Sequence, residues 1–310
     1  MSAAICVIYN PAAGKGRGGQ RLQKLRRVLG ARAAFWPTAH AGNAEELALR
    51  ATNDGFTVVA AAGGDGTAHE VANGILSAQR PDVTFAVLPV GSANDYAFSL
   101  GLDGAWWLRA DPGIEARPVD VGVVRSGNRS RYFINGLGLG FNGAVTLQSR
   151  KIMHLQGLLL YGLALFRALC VDFAHPQMTV RLDAVERTTP TLALSLAIGK
   201  REGNFVVAPD AVLDDGLFEY IHVGPLTRLE ALGFVPGLVV GHLPRDHPHV
   251  WLGRCRSADV VSESPLTVHT DGEFFCRPED NCRQITVDLL PRRLRVFSRR
   301  DQSIRPVCSS

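Results

Sequence analysis

Five consecutive residues, Gly63-Gly64-Asp65-Gly66-Thr67, combine backbone freedom with a carboxylate and a hydroxyl in one turn. They follow the apolar run 56–62 and precede a helix-like stretch at 68–76. A buried strand is therefore predicted to end in this turn, and a helix to begin directly after it. Glycines let backbone N–H groups approach a ligand closely, and a helix N-terminus adds donors and a field that favours anions. The turn predicts a phosphate site in which Asp65 can hold or bridge to a metal ion, as in a nucleotide-using enzyme.

Two further turns of the same kind lie within the first hundred residues. One runs from Asn10 to Gly16 and the other from Leu88 to Asp95, and each follows a short apolar run. An isolated glycine cluster is usually only a tight turn, but ligands of open α/β sheets bind beyond the carboxyl ends of the strands. Three such turns are therefore expected to meet at one crevice. None of them matches the Gly-x-x-x-x-Gly-Lys-Ser/Thr phosphate loop or the Gly-x-Gly-x-x-Gly dinucleotide motif, so a nucleotide would be held in another way.

Seven short elements occur in order along nearly the whole chain. They are Asn10-Pro11 with Gly14-Lys15, Gly63 to Thr67, Pro89 to Asp95, Asp120-Val121-Gly122, Phe133 to Gly138, Ala208 to Ala211 with Asp214 to Gly216, and Asp271-Gly272-Glu273. Together they resemble the lipid kinase family that includes diacylglycerol kinases, sphingosine kinases and their bacterial relatives. The Gly-Gly-Asp-Gly-Thr element is similar in NAD kinases and phosphofructokinases, whereas Gly-Ser-Ala-Asn-Asp and the late Asp-Gly-Glu are more specific. Ser92 stands where the family usually has Thr, and the hydroxyl is kept.

The resemblance implies that ATP binds in the first part of the chain. Phosphoryl transfer needs positioning, charge neutralisation and a proton acceptor more than covalent help from the protein. The N–H groups of residues 63–67 would cradle the phosphates, and the Thr67 hydroxyl would donate a further hydrogen bond. The expected nucleotide contacts are Asn10, Lys15, Thr38, Gly63, Gly64, Asp65, Gly66, Thr67 and Ser92.

Magnesium is the expected metal, because it prefers hard oxygen ligands and keeps several waters. By resemblance, Asp65, Asp120 and Asp215 would form an aspartate–water–Mg²⁺ network across a domain junction. Asp214 and the carbonyl of Leu217 resemble part of a second, structural metal site. Any one of these aspartates taken alone would be interpreted as a turn or cap residue.

Three acidic residues are the catalytic candidates. Asp271 is expected to be the general base that takes the proton of a lipid hydroxyl, with Glu273 orienting it or sharing its charge. Asp-Gly alone is typical of a hairpin turn, but its place at the end of the ordered motifs favours a catalytic role. Asp95 follows Asn94 at a predicted helix start, where an N-cap is a rival role. The resemblance implies that Asp95 is functional, through orienting the acceptor.

The hydrophobic pattern predicts an α/β part followed by a mainly β part. The first 122 residues alternate short apolar runs with helix-like stretches, as in a parallel sheet covered on both faces. Later apolar runs alternate with polar residues, which indicates a second, largely antiparallel domain interrupted by helical stretches at 140–171 and 226–241. The resemblance implies a Rossmann-like nucleotide domain at 1–122, a β-sandwich lipid domain at 123–290, and an active site in the cleft between them. It also implies that the last strand, at about 291–310, returns to the first domain.

Composition narrows the class of protein and of partner. The chain has 310 residues, of which 46% are hydrophobic and 20% charged, which is ordinary for a soluble globular protein. A net charge of +4 argues against nucleic acid as a main partner and permits weak attraction to anionic membranes. Six cysteines without a C-x-x-C pair fit reduced thiols, and no basic leader with a cleavage site is visible. The expected location is the cytoplasm, peripheral at the inner membrane face.

The most apolar segment, Leu155 to Leu169, is too short to cross a bilayer. Its plain interpretation is an amphipathic helix packed on a domain surface. The alternative is a helix that lines a lipid groove or lies on the membrane. Residues that could line an acyl groove, or equally belong to the core, are Leu137, Leu139, Phe141, Leu158 and Leu159.

Three functions remain open from the sequence. The first is ATP- and Mg²⁺-dependent transfer of the γ-phosphate to a lipid hydroxyl. The second is an NAD kinase-like enzyme that phosphorylates a soluble sugar hydroxyl, against which the two more specific motifs count. The third is a non-catalytic nucleotide- or membrane-binding module, since a fold does not fix function, although Asp65 and Asp271 are both present. The acceptor lipid and the oligomeric state, a homodimer included, are not encoded in the spacing.

Overall fold

The computed structural model describes residues 4–13, 17–108, 111–152, 155 and 157–299. Lys15, a predicted nucleotide contact, lies outside these ranges, as does the side chain of Leu158.

The first hundred residues alternate strands and helices, as the sequence predicts. Strands β2, β1, β3 and β4 pair in that order and run parallel. Val59 and Phe85, in the inner strands, are fully buried, as expected for a parallel sheet covered on both faces. The elements are β1 (Ile5–Tyr9), α1 (Arg17–Leu29), β2 (Ala33–Pro37), α2 (Asn43–Asn53), β3 (Val58–Gly63), α3 (Asp65–Ser77), β4 (Thr84–Pro89) and α4 (Asp95–Ser99).

The remainder is mostly antiparallel strand, interrupted by three helices. Six of its strands form a second sheet. The elements are β5 (Ile114–Ser126), β6 (Arg129–Phe133), β7 (Gly136–Gly140), α5 (Phe141–Arg150), α6 (Gly157–Val171), β8 (Gln177–Leu182), β9 (Val185–Pro190), β10 (Ala193–Ala197), β11 (Phe218–Val223), α7 (Arg228–Val240), β12 (Val250–Cys255), β13 (Ser257–Ser262), β14 (Val268–Thr270), β15 (Glu273–Cys276) and β16 (Gln284–Arg299). The second sheet has the order β12-β11-β10-β7-β14-β15 and is antiparallel throughout.

The last strand, β16, connects the parallel strands of the first part to the antiparallel strands of the second part in one sheet. It pairs antiparallel with β13 and β5, and in parallel with β4 at Arg295 and Val296. The first sheet therefore has ten strands, with the path β2-β1-β3-β4-β16-β13-β8-β9 and with β5 and β6 attached through β16. The last strand is expected at about 291–310; its described part, to Arg299, belongs to β16, and residues 300–310 lie outside the described ranges. The boundary predicted at residue 122 falls inside β5, so both parts of the chain share this sheet.

One hydrophobic core continues through both parts of the chain. Phe133 of β6 stacks on Phe218 of β11, with ring centroids 5.7 Å apart. Leu137 and Leu139 are fully buried in this core, so they do not line a groove. The shared core gives the turns that follow β1, β3 and β4 a fixed position relative to the hairpin between β14 and β15.

Candidate active site

The turns after β3 and β4 meet at one cleft, whereas the turn after β1 is described only to Ala13 and lies beside β3 without lining that cleft. The Asn10 N–H donates to the Ala62 carbonyl over 3.2 Å, and the N–H groups of Val90 and Gly91 both donate to the Gly63 carbonyl, over 3.0 and 3.1 Å. A Cβ atom added at Gly91 would lie 2.4 Å from the Cα atom of Gly64. Only glycine permits this approach, and it brings the turn after β4 against the turn after β3.

Asp65 begins helix α3 and lies near two other carboxylates, those of Asp95 and Asp271. Its Oδ1 atom accepts a hydrogen bond from the Tyr96 N–H over 3.1 Å. Burial, together with the nearby carboxylates of Asp95 and Asp271, raises the pKa of Asp65 to about 6. A cation or a bound proton would relieve this charge, which is the electrostatic condition of a metal ligand.

Asp95 does not have the predicted rival role of an N-cap. Asn94 occupies that position, and its backbone is left-handed with φ of 54°. The Asp95 carboxylate instead reaches across the chain, where Oδ1 accepts from Arg201 Nε over 2.7 Å and from the Asn204 N–H over 3.2 Å. Oδ2 accepts from the Gly203 N–H over 2.6 Å. Asp95 therefore fixes the segment 201–204 beside the cleft.

Asp271 occupies the hairpin turn between β14 and β15. It has φ of 52° and Gly272 has φ of 83°, which are the two left-handed positions of a two-residue hairpin loop. The Asp-Gly pair therefore forms a hairpin turn. The same pair also belongs to the candidate site, since the Asp271 side chain is buried and lines the cleft.

Both oxygens of the Asp271 carboxylate are already saturated with donors. Oδ1 accepts from the N–H groups of Asn135 and Gly136 over 2.8 and 2.9 Å. Oδ2 accepts from the Ile134 N–H over 2.9 Å and from His69 Nδ1 over 2.8 Å. Burial alone would raise the pKa of Asp271, but His69 and the backbone N–H groups outweigh it and lower that pKa. In this geometry Asp271 takes a further proton only if one of the four bonds breaks.

His69 contacts Asp271 at the candidate site, and sequence reasoning missed it. It is fully buried in α3, and its Nε2 atom accepts from Arg131 Nε over 3.0 Å. That bond assigns the ring proton to Nδ1, which faces Asp271. The only sequence signal is the place of His69 two residues after Thr67, within a helix already predicted.

Glu273 lies over the phosphate turn. A Cβ atom added at Gly66 would come within 3.1 Å of Glu273 Oε1. Its Oε2 atom accepts from Arg150 over 2.7 Å, and the same Arg150 nitrogen donates to the Gly272 carbonyl over 2.9 Å. Among the described contacts, Glu273 therefore pairs with Arg150, and its role in orienting Asp271 or sharing its charge stays a prediction.

The aspartate–water–Mg²⁺ network of Asp65, Asp120 and Asp215 stays a prediction, and the structure shows which acidic neighbours each of these residues has. Burial, with Asp215 and Asp214 beside it, raises the pKa of Asp120, whereas Asp65 has different acidic neighbours. Within the described ranges, no group of three or more His, Cys, Asp or Glu side chains is arranged to hold a metal ion.

Asp120, Asp214 and Asp215, three of the four residues predicted as further metal ligands, make contacts within the fold. Asp120 accepts from the Gly216 N–H over 2.7 Å and from the Arg292 N–H, at the bulge between β5 and β16, over 2.8 Å. Asp215 accepts from the Leu217 N–H over 3.0 Å, and Asp214 pairs with Arg117 over 3.6 Å. These carboxylates satisfy backbone donors and an arginine, and their role as metal ligands stays a prediction.

The predicted nucleotide contacts that the structure describes fall into three groups. Gly64, Asp65, Gly66 and Ser92 line the cleft. Gly63 and Thr67 are buried beneath it, and a Cβ atom added at Gly63 would lie 2.3 Å from Thr67 Oγ1. Asn10 accepts from the Ala12 N–H, and the Thr38 N–H donates to the Tyr9 carbonyl, so neither lines the cleft in this conformation.

Two cavities meet at the site. The polar cleft has a volume of about 350 Å³ and contains the phosphate turn, Asp95, Asp271 and Glu273. A smaller groove of about 170 Å³ is lined mostly by apolar side chains of α5, α6, α7 and the adjoining strands. Three residues line both cavities: Thr146, Glu202 and Gly203. The expected groove residue Phe141 lies there, whereas Leu159 is exposed on α6.

Comparison with known proteins shows the family to which the chain belongs. A model described as the diacylglycerol kinase catalytic domain matches residues 4–124, and one described as the YegS C-terminal NAD kinase β-sandwich-like domain matches residues 136–298. The diacylglycerol kinase of Staphylococcus saprophyticus subsp. saprophyticus is 31% identical over 86% of this chain and 88% of its own length. The chain belongs to the diacylglycerol kinase family. The diacylglycerol kinase of Staphylococcus aureus strain bovine RF122 is similar at 30% identity, over 86% of this chain and 85% of its own.

A solved structure confirms the fold class. A diacylglycerol kinase from Bacillus anthracis str. Sterne is 18% identical and matches with a TM-score of 0.69, covering 95% of this chain and 96% of that one. An α/β N-terminal part with a C-terminal β-sandwich, as predicted, is therefore correct. In the described part of the chain, no helix has the length and apolar content needed to span a bilayer.

Proposed function

We propose that this protein is an ATP- and Mg²⁺-dependent lipid kinase that transfers the γ-phosphate of ATP to a lipid hydroxyl. The observation that carries the proposal is the junction of a polar cleft, which contains a phosphate turn, with an apolar groove. A polar site suits the phosphates and the alcohol, whereas an apolar groove suits an acyl chain. A soluble sugar substrate, as in the NAD kinase alternative, has no acyl chain to occupy the groove.

The phosphates of ATP would lie at the N-terminus of α3. The N–H groups of Gly64, Asp65 and Gly66 open this helix beside the cleft, and such a terminus favours anions. Magnesium usually binds one or two carboxylates together with substrate phosphates and waters, and Asp65, with its raised pKa, fits that use. When bound, the metal would neutralise charge on the transferring phosphate.

The acceptor hydroxyl would enter from the groove side. Asp95 fixes Gly203 and Asn204 at the junction of the two cavities, and so positions the wall that the hydroxyl passes. Asp271 remains the base predicted from the resemblance, and its four bonds also hold residues 134–136 in the cleft wall.

Peripheral contact with the cytoplasmic face of the membrane is part of the proposal. Helices α6 and α7 line the groove and also expose large apolar side chains, a pattern typical of helices that lie in a membrane interface. We name these side chains the apolar rim: Leu159, Phe166 and Val171 on α6, with Leu229, Leu232 and Val240 on α7. A lipid could then move from the bilayer into the groove without crossing water.

The deciding experiment is transfer of ³²P from ATP, with and without Mg²⁺, to acceptors in mixed micelles. The panel holds diacylglycerol, a sphingoid base and a phospholipid with a headgroup alcohol, with NAD as the soluble alternative. Labelling of one lipid class supports the proposal and identifies the acceptor. Labelling of NAD alone supports the alternative enzyme, and ATP binding without any transfer contradicts both.

Filling the groove should weaken lipid use selectively. Val235 lines the groove on α7, and Val235→Trp would displace part of an acyl chain. Because each buried CH₂ contributes about 0.8 kcal/mol, loss of two groups raises the KM for the lipid about tenfold. Steady-state kinetics should show this rise with the KM for ATP unchanged. Val185→Trp, at an exposed valine of β9, is the matched control, and equal effects of both variants would contradict the groove assignment.

The apolar rim should account for vesicle binding. The double variant Leu229→Glu with Val240→Glu replaces two side chains that are 81% and 76% exposed. Since burial of an aliphatic side chain contributes about 1.5 kcal/mol or more, the bound fraction in sedimentation with anionic vesicles should fall at least tenfold. Val185→Glu with Val261→Glu changes exposed valines of β9 and β13 and should bind as the unchanged protein does. Unaltered binding of the rim variant would remove the membrane surface from the proposal.

A further inference from the structure

Two cysteines meet at a junction between the two sheets. Cys276 ends β15, the edge strand of the second sheet, and Cys282 stands just before β16 of the first sheet. The backbone of Leu266 bonds to both residues. Its carbonyl accepts from Cys276 Sγ over 3.6 Å, and its N–H donates to the Cys282 carbonyl over 2.7 Å. The two thiol groups lie within hydrogen-bonding reach of each other, so the fold places two reduced sulfur atoms side by side.

The chain between the two cysteines is a preformed turn. Residues Pro278–Asp280 form a single 3₁₀ turn, and the Arg277 N–H donates to Asp280 Oδ2 over 2.8 Å at its start. Asn281 then takes a left-handed conformation with φ of 50°, which returns the chain towards Leu266. A disulfide requires Cβ atoms about 3.8 Å apart. Thiols that are already neighbours at the two ends of a fixed turn reach this distance with little movement of the backbone.

The two thiols differ in their access to solvent. Cys282 is half-buried, and its Sγ atom lies 3.2 Å from the Ser126 hydroxyl. Cys276 is buried, and this burial, followed by the charge and the hydrogen bond of Cys282, raises the pKa of its thiol well above the usual range. Because the thiolate is the form that reacts with oxidants, Cys276 is protected by itself. An oxidant dissolved in water therefore reacts with Cys282 first.

We propose that Cys276 and Cys282 are a redox-sensitive pair that a peroxide converts into a reversible disulfide. In the first step the Cys282 sulfur bonds to one peroxide oxygen, the O–O bond breaks, and one water leaves, so that Cys282 becomes a sulfenic acid. The Cys276 sulfur then bonds to the Cys282 sulfur and the S–O bond breaks. The departing hydroxyl takes the Cys276 proton and leaves as a second water. Two thiols are thus oxidised, and one peroxide is reduced to two waters.

The disulfide would join the two sheets covalently beside the candidate site. Cys276 pairs with Val268 of β14 at the open end of the hairpin, and Asp271 lies at its closed end. A bond to Cys282 would fix this open end to the start of β16. Opening of the β14–β15 hairpin should therefore become rarer in the oxidised protein, and a thiol reductant should restore it. This inference does not depend on the proposed lipid kinase function.

Peptide mapping after treatment of the reduced protein with a small excess of hydrogen peroxide tests the proposal. The peptide that contains both cysteines should lose the mass of two hydrogen atoms. After cleavage at Glu279, its two pieces should remain joined until dithiothreitol is added. The thermal midpoint should rise by about 4 °C on oxidation, because the bond restricts the unfolded chain. Cys170→Ser, at an exposed thiol of α6, is the matched control and should form the same bond.

Two single variants separate the order of the steps. Cys276→Ser should leave Cys282 as a sulfenic acid that dimedone traps, and Cys282→Ser should leave Cys276 reduced. Linkage of either thiol to a different cysteine overturns the inference. So does retention of both thiols after peroxide treatment, or equally fast oxidation of Cys276 without Cys282. The mapping of the unchanged protein decides the pairing even where the buried Cys276→Ser variant fails to fold.

Discussion

Asp271→Asn is expected to lower the free energy of unfolding by about 3 kcal/mol and to abolish measurable phosphate transfer, because it removes a buried charge from four donors. The carboxylate is buried and accepts from three backbone N–H groups and from His69. An asparagine amide presents N–H₂ where one oxygen stood, so at least one pair of donors would face another donor. The wall at residues 134–136 would then move, and the cleft with it.

The pH dependence of this variant follows from the sign of the shift. The pKa of Asp271 is lowered in the folded protein, so its contribution to stability is fully present above the ordinary aspartate pKa of about 4. That contribution is lost as the pH falls through the lower, folded value. Acid should therefore destabilise the unchanged protein more steeply than the Asn variant.

Urea unfolding at pH 7 and at acidic pH, followed by circular dichroism, measures both effects. Asp183→Asn is the matched control, because Asp183 also has φ of 52° and accepts from backbone N–H groups of Arg256 and Ser257. Asp183 is exposed in the turn between β8 and β9, and it does not line the cleft. Equal losses of stability for the two variants would contradict the importance of burial at Asp271.

Asp65→Asn should have the opposite pattern, with activity lost and stability kept or increased. The folded pKa of Asp65 is raised from 3.8 to about 6, so burying its charge costs the fold at most about 3 kcal/mol at pH 8. The amide can still accept from the Tyr96 N–H but is a poor ligand for Mg²⁺. We expect a fall of about 1,000-fold or more in phosphate transfer, since positioning and charge neutralisation make up most of the catalysis.

Thermal melts across pH check the stability half of this expectation. A raised folded pKa means that the stabilising effect of the proton is fully present below pH 3.8 and is lost as the pH rises through about 6. The unchanged protein should therefore gain stability from Asp65 as the pH falls from 7 towards 4, and the variant should lack this gain. A variant that is much less stable at pH 8 would show that Asp65 is a structural residue.

The sequence predicts the fold because local patterns and global pairing agree over most of the chain. The runs ending at Tyr9, Gly63 and Pro89 are strands, and the turns after Gly63 and Pro89 meet, since parallel strands end at one edge of the sheet. Asp271 could be assigned to both a hairpin and a cleft because the turn pattern and the ordered motifs point to the same residue.

The parts that sequence reasoning missed all depend on contacts between distant segments. The hydrogen bonds of Asp120 with the N–H groups of Gly216 and Arg292 join residues 96 and 172 positions apart. His69 stands in no pattern that marks it, and its significance comes from a neighbour about 200 positions away, Asp271. A side chain's own type and local spacing cannot reveal how many donors the fold will offer it.

The pairing of β16 with β4 has a consequence for how the chain matures. Arg295 and Val296 stand about 210 positions after their partners Thr84 and Phe85, so a ribosome must release nearly the whole chain before β4 gains its second neighbour. Until then, a strand whose six residues are all buried in the finished protein presents an open apolar edge, which other chains can pair with. The first part of the protein is thus synthesised long before its sheet can be completed by β16. Its yield in a cell depends on protection of that edge while the rest is synthesised.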